Sequence, residues 1–381
     1  LPFLDYRVYG TDLSNGAALL GYHRANNSLF VSVDEGASQF NSYVCEVSIV
    51  TPTLAASTTA LQRGSLIQAP QDAAGGLWYR CSLNSFSGCR IRGCLVGANG
   101  QMFLSGYINY DGGYQGTHSL YRRSTTLSVQ DVVGPIEING FGIGSADNGG
   151  ICGGFQAAIP ANWQGALGGD TICGNWGLSI NGRTSWGPSA VIYNQAEVGL
   201  ADSVNAQPLL YYNQDHPTLG EPGIDGALWN DAGEAGGIVF VEGTSTILFF
   251  TRHTDHYCYG DGTTNPSLDH TQVPGEPPGV IYCYDVEVGG KGQHGNPWTQ
   301  RVYAYDANEL VNVKAGIKQP WEVYPYTWWD FELPQFQYTH YLKSVTYDPV
   351  SQLIYLAAQY GDTIGGAFYN APVIHVYKVT P

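Results

Sequence analysis

The chain has 381 residues, 43% of them apolar and 13% aromatic, which describes a folded core and excludes a disordered segment. Its formal net charge is −16, with 16 Lys and Arg against 32 Asp and Glu, so it lacks the cations needed to neutralise nucleic-acid phosphates. No apolar run of about 18 residues occurs, which excludes a membrane-spanning helix.

The sequence starts "LPFLDYRVYG", without Met and without a signal peptide, as expected of a chain whose export signal has been removed. Glycine (50) and tyrosine (27) are abundant, and Asn-Gly pairs at Asn15, Asn99, Asn139, Asn148 and Asn181 suit tight hairpins. The expected class is all-β.

A module then recurs along the chain. "LLGYHRANNSLFVSVDEG" (19–36), "CLVGANGQMFLSGYINYDG" (94–112), "IVFVEGTSTILFFTRHTD" (238–255) and "VTYDPVSQLIYLAAQYGD" (345–362) each read as strand, turn, strand and acidic exit. A third apolar run follows each: "YVCEVSIV", "HSLYRRS", "GVIYCYDV" and "PVIHVYKV". A fainter copy combines "PSAVIYN" with "PLLYYNQD". Radial repetition of small antiparallel sheets predicts a β-propeller of five blades, with six or seven if "FQAAIPANW" or "RVYAYD" opens a further one. A β-sandwich is the alternative. "DYRVYG" is expected to pair with the C-terminal "VIHVYKV" and close the ring, making residues 1–381 one domain. "DANELVNVKAGIKQP" (306–320) predicts a short surface helix near 306–317, with Asp306 as its N-cap and Gly316 and Pro320 beyond its end.

Eight cysteines with no CxxC pair point to disulfides, hence to a secreted or periplasmic protein. Cys152–Cys173 and Cys258–Cys283 are the preferred pairs, because each closes one loop.

The acidic exits Asp34, Asp111, Asp255 and Asp362, with Asp215 in the faint copy, would ring one face if the modules are symmetric. The competing reading is that Asp simply ends strands. The exit after Asp255 is unusually long and charged, beginning "RHTDHYCYGDG". Asp255, Asp261 and His270 are its candidate metal ligands, for Ca, Zn or Mn, although the spacing matches no established metal motif. Arg252, His253, His256 and Tyr259 are candidate catalytic residues: an arginine to hold a sugar acid, a histidine to take a proton and a tyrosine to give one. Hydrolysis would instead need two carboxylates, with Asp255 and Glu234 as candidates. The alternative for this whole stretch is a disulfide-tied loop covering a blade. Further on, "YPYTWWDFELPQFQY" offers Tyr326, Trp328, Trp329 and Asp330 as a sugar-binding platform, or equally as core between blades.

The segments "LFFTRHTDHYCYGDG", "PGEPPGVIYCYD", "YDANELVNVKAGIKQPW" and "PVIHVYKV" resemble a family of exported bacterial proteins to which no activity is attached. The resemblance covers about the C-terminal half. It implies export and a shared fold and transfers no catalytic residue. The expected function is recognition or processing of an extracellular glycan. The alternatives are a non-catalytic surface or filament protein that self-associates, and a polysaccharide lyase or glycosidase using the 252–261 loop.

Overall fold

The computed structural model describes residues 3–5, 19–33, 43–55, 57–76, 89–108, 111, 116–139, 149–177, 185–213, 215–216, 218–219, 228–287, 289–333, 342–362 and 371–380. These residues are mostly β, in several sheets. Sheet 1 holds Leu20–His23, Ser28–Ser32, Tyr43–Ser48 and Leu66–Asp72. Sheet 2 holds Cys89–Val96, Gln101–Ile108, His118–Ser124 and Val133–Asn139, with Ser203–Asn205 added in parallel at its edge. Sheet 3 holds Phe155–Ala158, Thr171–Gly174, Ala190–Tyr193 and Gln207–Leu210. Sheet 4 holds Glu234–Phe240, Thr246–Thr254, Trp298–Asp306 and Thr327–Phe331. Sheet 5 holds Leu342–Asp348, Leu353–Asp362 and Ala371–Lys378, and its fourth strand is Phe3–Asp5. That N-terminal strand pairs antiparallel with the C-terminal one, Leu4 opposite Ile374; of the expected "DYRVYG" strand only Asp5 is among the described residues.

Strand alternation explains why these segments are apolar almost throughout. In "SLFVS", Leu29 and Val31 enter a core shared with sheet 5, whereas Phe30 enters a core shared with sheet 2. Further cores lie between sheets 2 and 3, sheets 3 and 4, and sheets 4 and 5. Each sheet is thus coated with side chains on both faces, and each fully buried Leu, Ile or Phe contributes about 1.5–3 kcal/mol. The first strands of successive sheets lie side by side, and that of sheet 5 returns to that of sheet 1. Residues from the C-terminal parts of all five first strands line one cavity of 740 Å³, among them Tyr22, Val96, Ala158, Phe240 and Tyr347. Close approach of these strands requires glycine at two points. A side chain at Gly93 would collide with Ser105 and Gln156, and one at Gly237 with Val345.

Two sequence expectations change. "FQAA" is the first strand of sheet 3, and Pro160 then opens a helix, Ala161–Leu167, which the strand-dominated composition did not suggest. The third strand of sheet 4 is Trp298–Asp306, not "GVIYCYDV". Tyr282–Tyr284 instead joins Tyr257–Thr263 and Gly290–Gly295 in a small inserted sheet. The expected 306–317 helix spans Ala307–Lys314; the Asp306 side chain accepts the Asn308 N–H at 3.0 Å, and Ala307 and Leu310 are buried.

Both preferred disulfides are present. Cys152–Cys173 joins the edge of the sheet 2–3 core to sheet 3, and Cys258–Cys283 pins the inserted sheet, with Cα atoms 5.0 and 5.7 Å apart. Cys45 and Cys94 are instead free thiols, because strand alternation turns them into the cores. Burial pushes both thiols up to about 12. They are therefore expected to resist iodoacetamide in the native chain and to react once it is denatured. Peptide-resolved mass spectrometry checks this; rapid native labelling of either would contradict the packing.

Candidate functional site

The candidate residues of 252–261 and 326–330 are far apart in sequence, yet the third strand of sheet 4 lies between their two strands. Thr251 is opposite Arg301 and Arg301 opposite Asp330; His253 is opposite Thr299, and Tyr303 opposite Trp328. Directly opposed and alternate residues share a face, so His253, Arg301, Trp328 and Asp330 lie on one side of the sheet.

Arg301 organises this row. Its Nε and Nη2 donate to the two Asp330 carboxylate oxygens at 2.6 and 3.0 Å, and its Nη2 lies 3.7 Å from Asp255 Oδ1. The bidentate bond from Arg301 holds Asp330 below the usual carboxylate range. Asp255 also lies 3.0 Å from His253 Nε2. Burial, reinforced by the charge of Arg301, pushes His253 down to about 4, so it is neutral at physiological pH. Asp255 and Asp330 are 58% and 48% exposed at their side chains, leaving both carboxylates partly open to a ligand. Trp328 is 46% exposed and Tyr326 58%; the Tyr326 hydroxyl is 3.0 Å from Thr246 Oγ1.

The expected sugar platform divides. Trp329 follows Trp328 on the strand and points to the other face, where its neighbour Phe331 packs edge-on against Phe250 and Tyr377. The two tryptophans therefore do not stack on one ring. The expected catalytic quartet divides for the same reason, since Arg252 and His253 face opposite ways. Arg252 is 1% exposed, lies 3.4 Å over the Trp298 ring and donates to Glu287 at 2.7 Å. His253 is fully buried, so it orients Asp255 and does not present its ring to a ligand. His256 and Tyr259 are exposed, His256 in the turn after the strand and Tyr259 on the inserted sheet.

Asp255, Asp261 and His270 do not converge as metal ligands. Among the described residues, the group of potential donors near His270 comprises Asp269 and Cys258. Cys258 is in a disulfide and offers no thiolate, and one oxygen of Asp269 accepts the Tyr284 N–H at 2.8 Å. Of the acidic ring expected from the module exits, only Asp111, Asp215 and Asp255 have described side chains. Buried Asp111 accepts the Gly116 N–H at 2.7 Å and shapes a turn, Asp34 lies outside the described residues, and Asp362 is described only as backbone.

Sequence reasoning missed a second charged group, where Arg92, Trp176, Glu234 and Lys343 meet at the first strands. Glu234 belongs here, 4.0 Å from Lys343, and not to a carboxylate pair with Asp255. The available signal was "CRIRGC", two arginines on the first strand of a module in a chain poor in cations.

No protein-family model and no curated protein matches the chain. Among solved structures it is similar, at 9% identity, to a luciferin-regenerating enzyme, covering 95% of this chain and 77% of that one with a TM-score of 0.35. A member of the DUF4221 family from Bacteroides vulgatus has 9% identity over 99% of this chain and 97% of that one, with a TM-score of 0.36. A GDP-Man-dependent mannosyltransferase from Leishmania mexicana has 9% identity over 99% and 88%, also with a TM-score of 0.36. Likeness this distant carries no argument about what the chain does.

Proposed function

We propose that this chain is an exported five-bladed β-propeller that recognises a glycan through the Trp328–Asp330 row of sheet 4, with Tyr326 just before that strand. The propeller reading is supported by five sheets whose first strands neighbour one another in a cycle, by a separate core between each successive pair, and by the N-terminal strand completing the last sheet. Export is supported by the two disulfides.

One observation carries the glycan reading. The strongly exposed aromatic side chains among the described residues are Tyr259, Tyr324, Tyr326, Trp328 and Trp329, and all but the first fall within 324–329. On the same face as Trp328 stand two part-exposed carboxylates fixed around Arg301. An aromatic face takes the C–H side of a sugar, and an ionised carboxylate takes its hydroxyls. Asp330, held ionised, is an acceptor and not a proton donor, which favours binding. Processing is the second reading, favoured by the position of Asp255 and Asp330 around one arginine.

Trp328→Ala is expected to weaken glycan binding about thirtyfold while leaving the fold intact. A glycan array followed by titration calorimetry on wild type and variant measures this, and product analysis of the bound glycan detects turnover. Absence of any glycan binding, or equal binding by the variant, rejects the proposal. Concentration-dependent self-association in light scattering would then favour the assembly reading.

A further inference from the structure

The group at the first strands is built differently from the sheet 4 row. Arg90 and Arg92 lie on the first strand of sheet 2, Glu234 begins that of sheet 4, and Lys343 lies on that of sheet 5. Trp176 follows the second strand of sheet 3. The Arg92 guanidinium lies 3.8 Å over the Trp176 ring, and Lys343 Nζ is 4.8 Å from the same ring. Lys343 Nζ is also 4.0 Å from Glu234 Oε2, and the Tyr107 and Trp176 rings are 5.9 Å apart. Arg90, Arg92 and Arg252 are all close enough to disfavour the charge on Lys343, beyond what burial does. Four of the 16 cations of an acidic chain are thus gathered in one place, where Glu234 and Glu287 are carboxylates in contact with them among the described residues.

Like charges converge against Coulomb repulsion, so such a cluster is retained where an anion is received. The hydrogen-bond inventory narrows that anion. Arg92 is 5% exposed, and its Nη1 has no acceptor among the described residues. Among the described residues the buried Trp176 Nε1 likewise has no acceptor, and the buried Glu234 Oε2, 4.0 Å from Lys343 Nζ, receives no hydrogen bond. A ligand completing this inventory brings a planar acceptor for the arginine and indole N–H groups, and a hydroxyl for Glu234. The ring faces of Tyr107 and Trp176 suit a C–H surface.

We propose that Arg92, Trp176, Glu234 and Lys343 form a binding site for a sugar acid, the uronic acid class: Arg92 and Lys343 take its carboxylate, and Glu234 takes a ring hydroxyl. This site uses the first strands and stands without the sheet 4 row.

Titration calorimetry of the intact chain with D-glucuronate and D-galacturonate tests it, with glucose, galactose and inorganic phosphate as controls. A uronate is expected to bind while the neutral sugars and phosphate do not. Arg92→Gln and Lys343→Met are each expected to weaken uronate binding at least about tenfold. Trp328→Ala is expected to leave it unchanged, so failure here and failure of the sheet 4 proposal are distinguished. Circular dichroism and melting curves establish that each variant is folded; if Arg92→Gln is not, Lys343→Met, which keeps an apolar stem of similar length, decides. Absence of uronate binding overturns the proposal, as does wild-type affinity in the folded variants. Phosphate binding as tightly as uronate overturns its carboxylate specificity.

Discussion

Arg252→Ala is expected to destabilise the chain by about 3–5 kcal/mol, the largest effect of any single substitution proposed. The guanidinium lies over the Trp298 ring, 3.4 Å away, and donates to the Glu287 carboxylate at 2.7 Å, and both charged partners are nearly inaccessible to water. Truncation takes a charged donor from a buried carboxylate and uncovers an indole. The damage is not local. The Trp298 Nε1 donates to Asp285 at 3.2 Å, and Asp285 also accepts from the backbone of Glu287 and Gly295, so the same group moors the inserted sheet to sheet 4. Arg252→Lys keeps a cation and loses the flat stacked contact, so it should fall between. Urea unfolding of the three proteins measures this. A loss under about 1 kcal/mol for the alanine variant would mean that Arg252 is not the keystone of this contact.

Glu46→Ala is expected to cost about 3 kcal/mol or more, and to remove part of the acid sensitivity of the fold. Glu46 is fully buried in sheet 1, where it is approached by His23 Nδ1 at 2.7 Å, Asn26 Nδ2 at 2.9 Å, the Ser28 hydroxyl and the Gln68 amide. Gln68 continues into sheet 2 by donating to the Thr125 carbonyl and accepting the Leu127 N–H. Burial alone would raise the Glu46 carboxyl, but the bonds from Ser28, Gln68, His23 and Asn26 outweigh it and hold the group below its usual range. A folded-state value lowered in this way contributes stability that is complete above the unfolded value of about 4.3. That contribution is lost as pH falls through the lower, folded value. Urea midpoints from pH 7 to pH 3 should therefore decline more steeply for wild type than for Glu46→Gln, which lacks the titrating group. Parallel declines would remove Glu46 from the acid response.

The local features were readable along the chain because each depends on neighbours in sequence. The meanders follow from apolar runs broken by tight turns. The helix at 307–314 follows from Asp306 as cap and Gly316 beyond the end. The two disulfides follow from pairs that each close one loop. The misplaced third strand of sheet 4 shows the limit: "GVIYCYDV" and "RVYAYD" have equal strand character, and only pairing along the whole of Thr246–Thr254 selects the second.

Composition and patterning by themselves determined that this protein is built from β-meanders and marked most of the segments that form them, with the two disulfide pairs as preferences that the fold selects. Tertiary structure alone decided which side chains meet. His253 is buried and Asp255 part-exposed because strand alternation and a third strand intervene. Trp328 and Trp329 part company because one pleat separates them, and four cations assemble in an acidic chain because strands from sheets 2, 4 and 5 bring them together. A one-residue change of register reverses every such facing, and register is set by long-range packing between sheets, which no local pattern encodes.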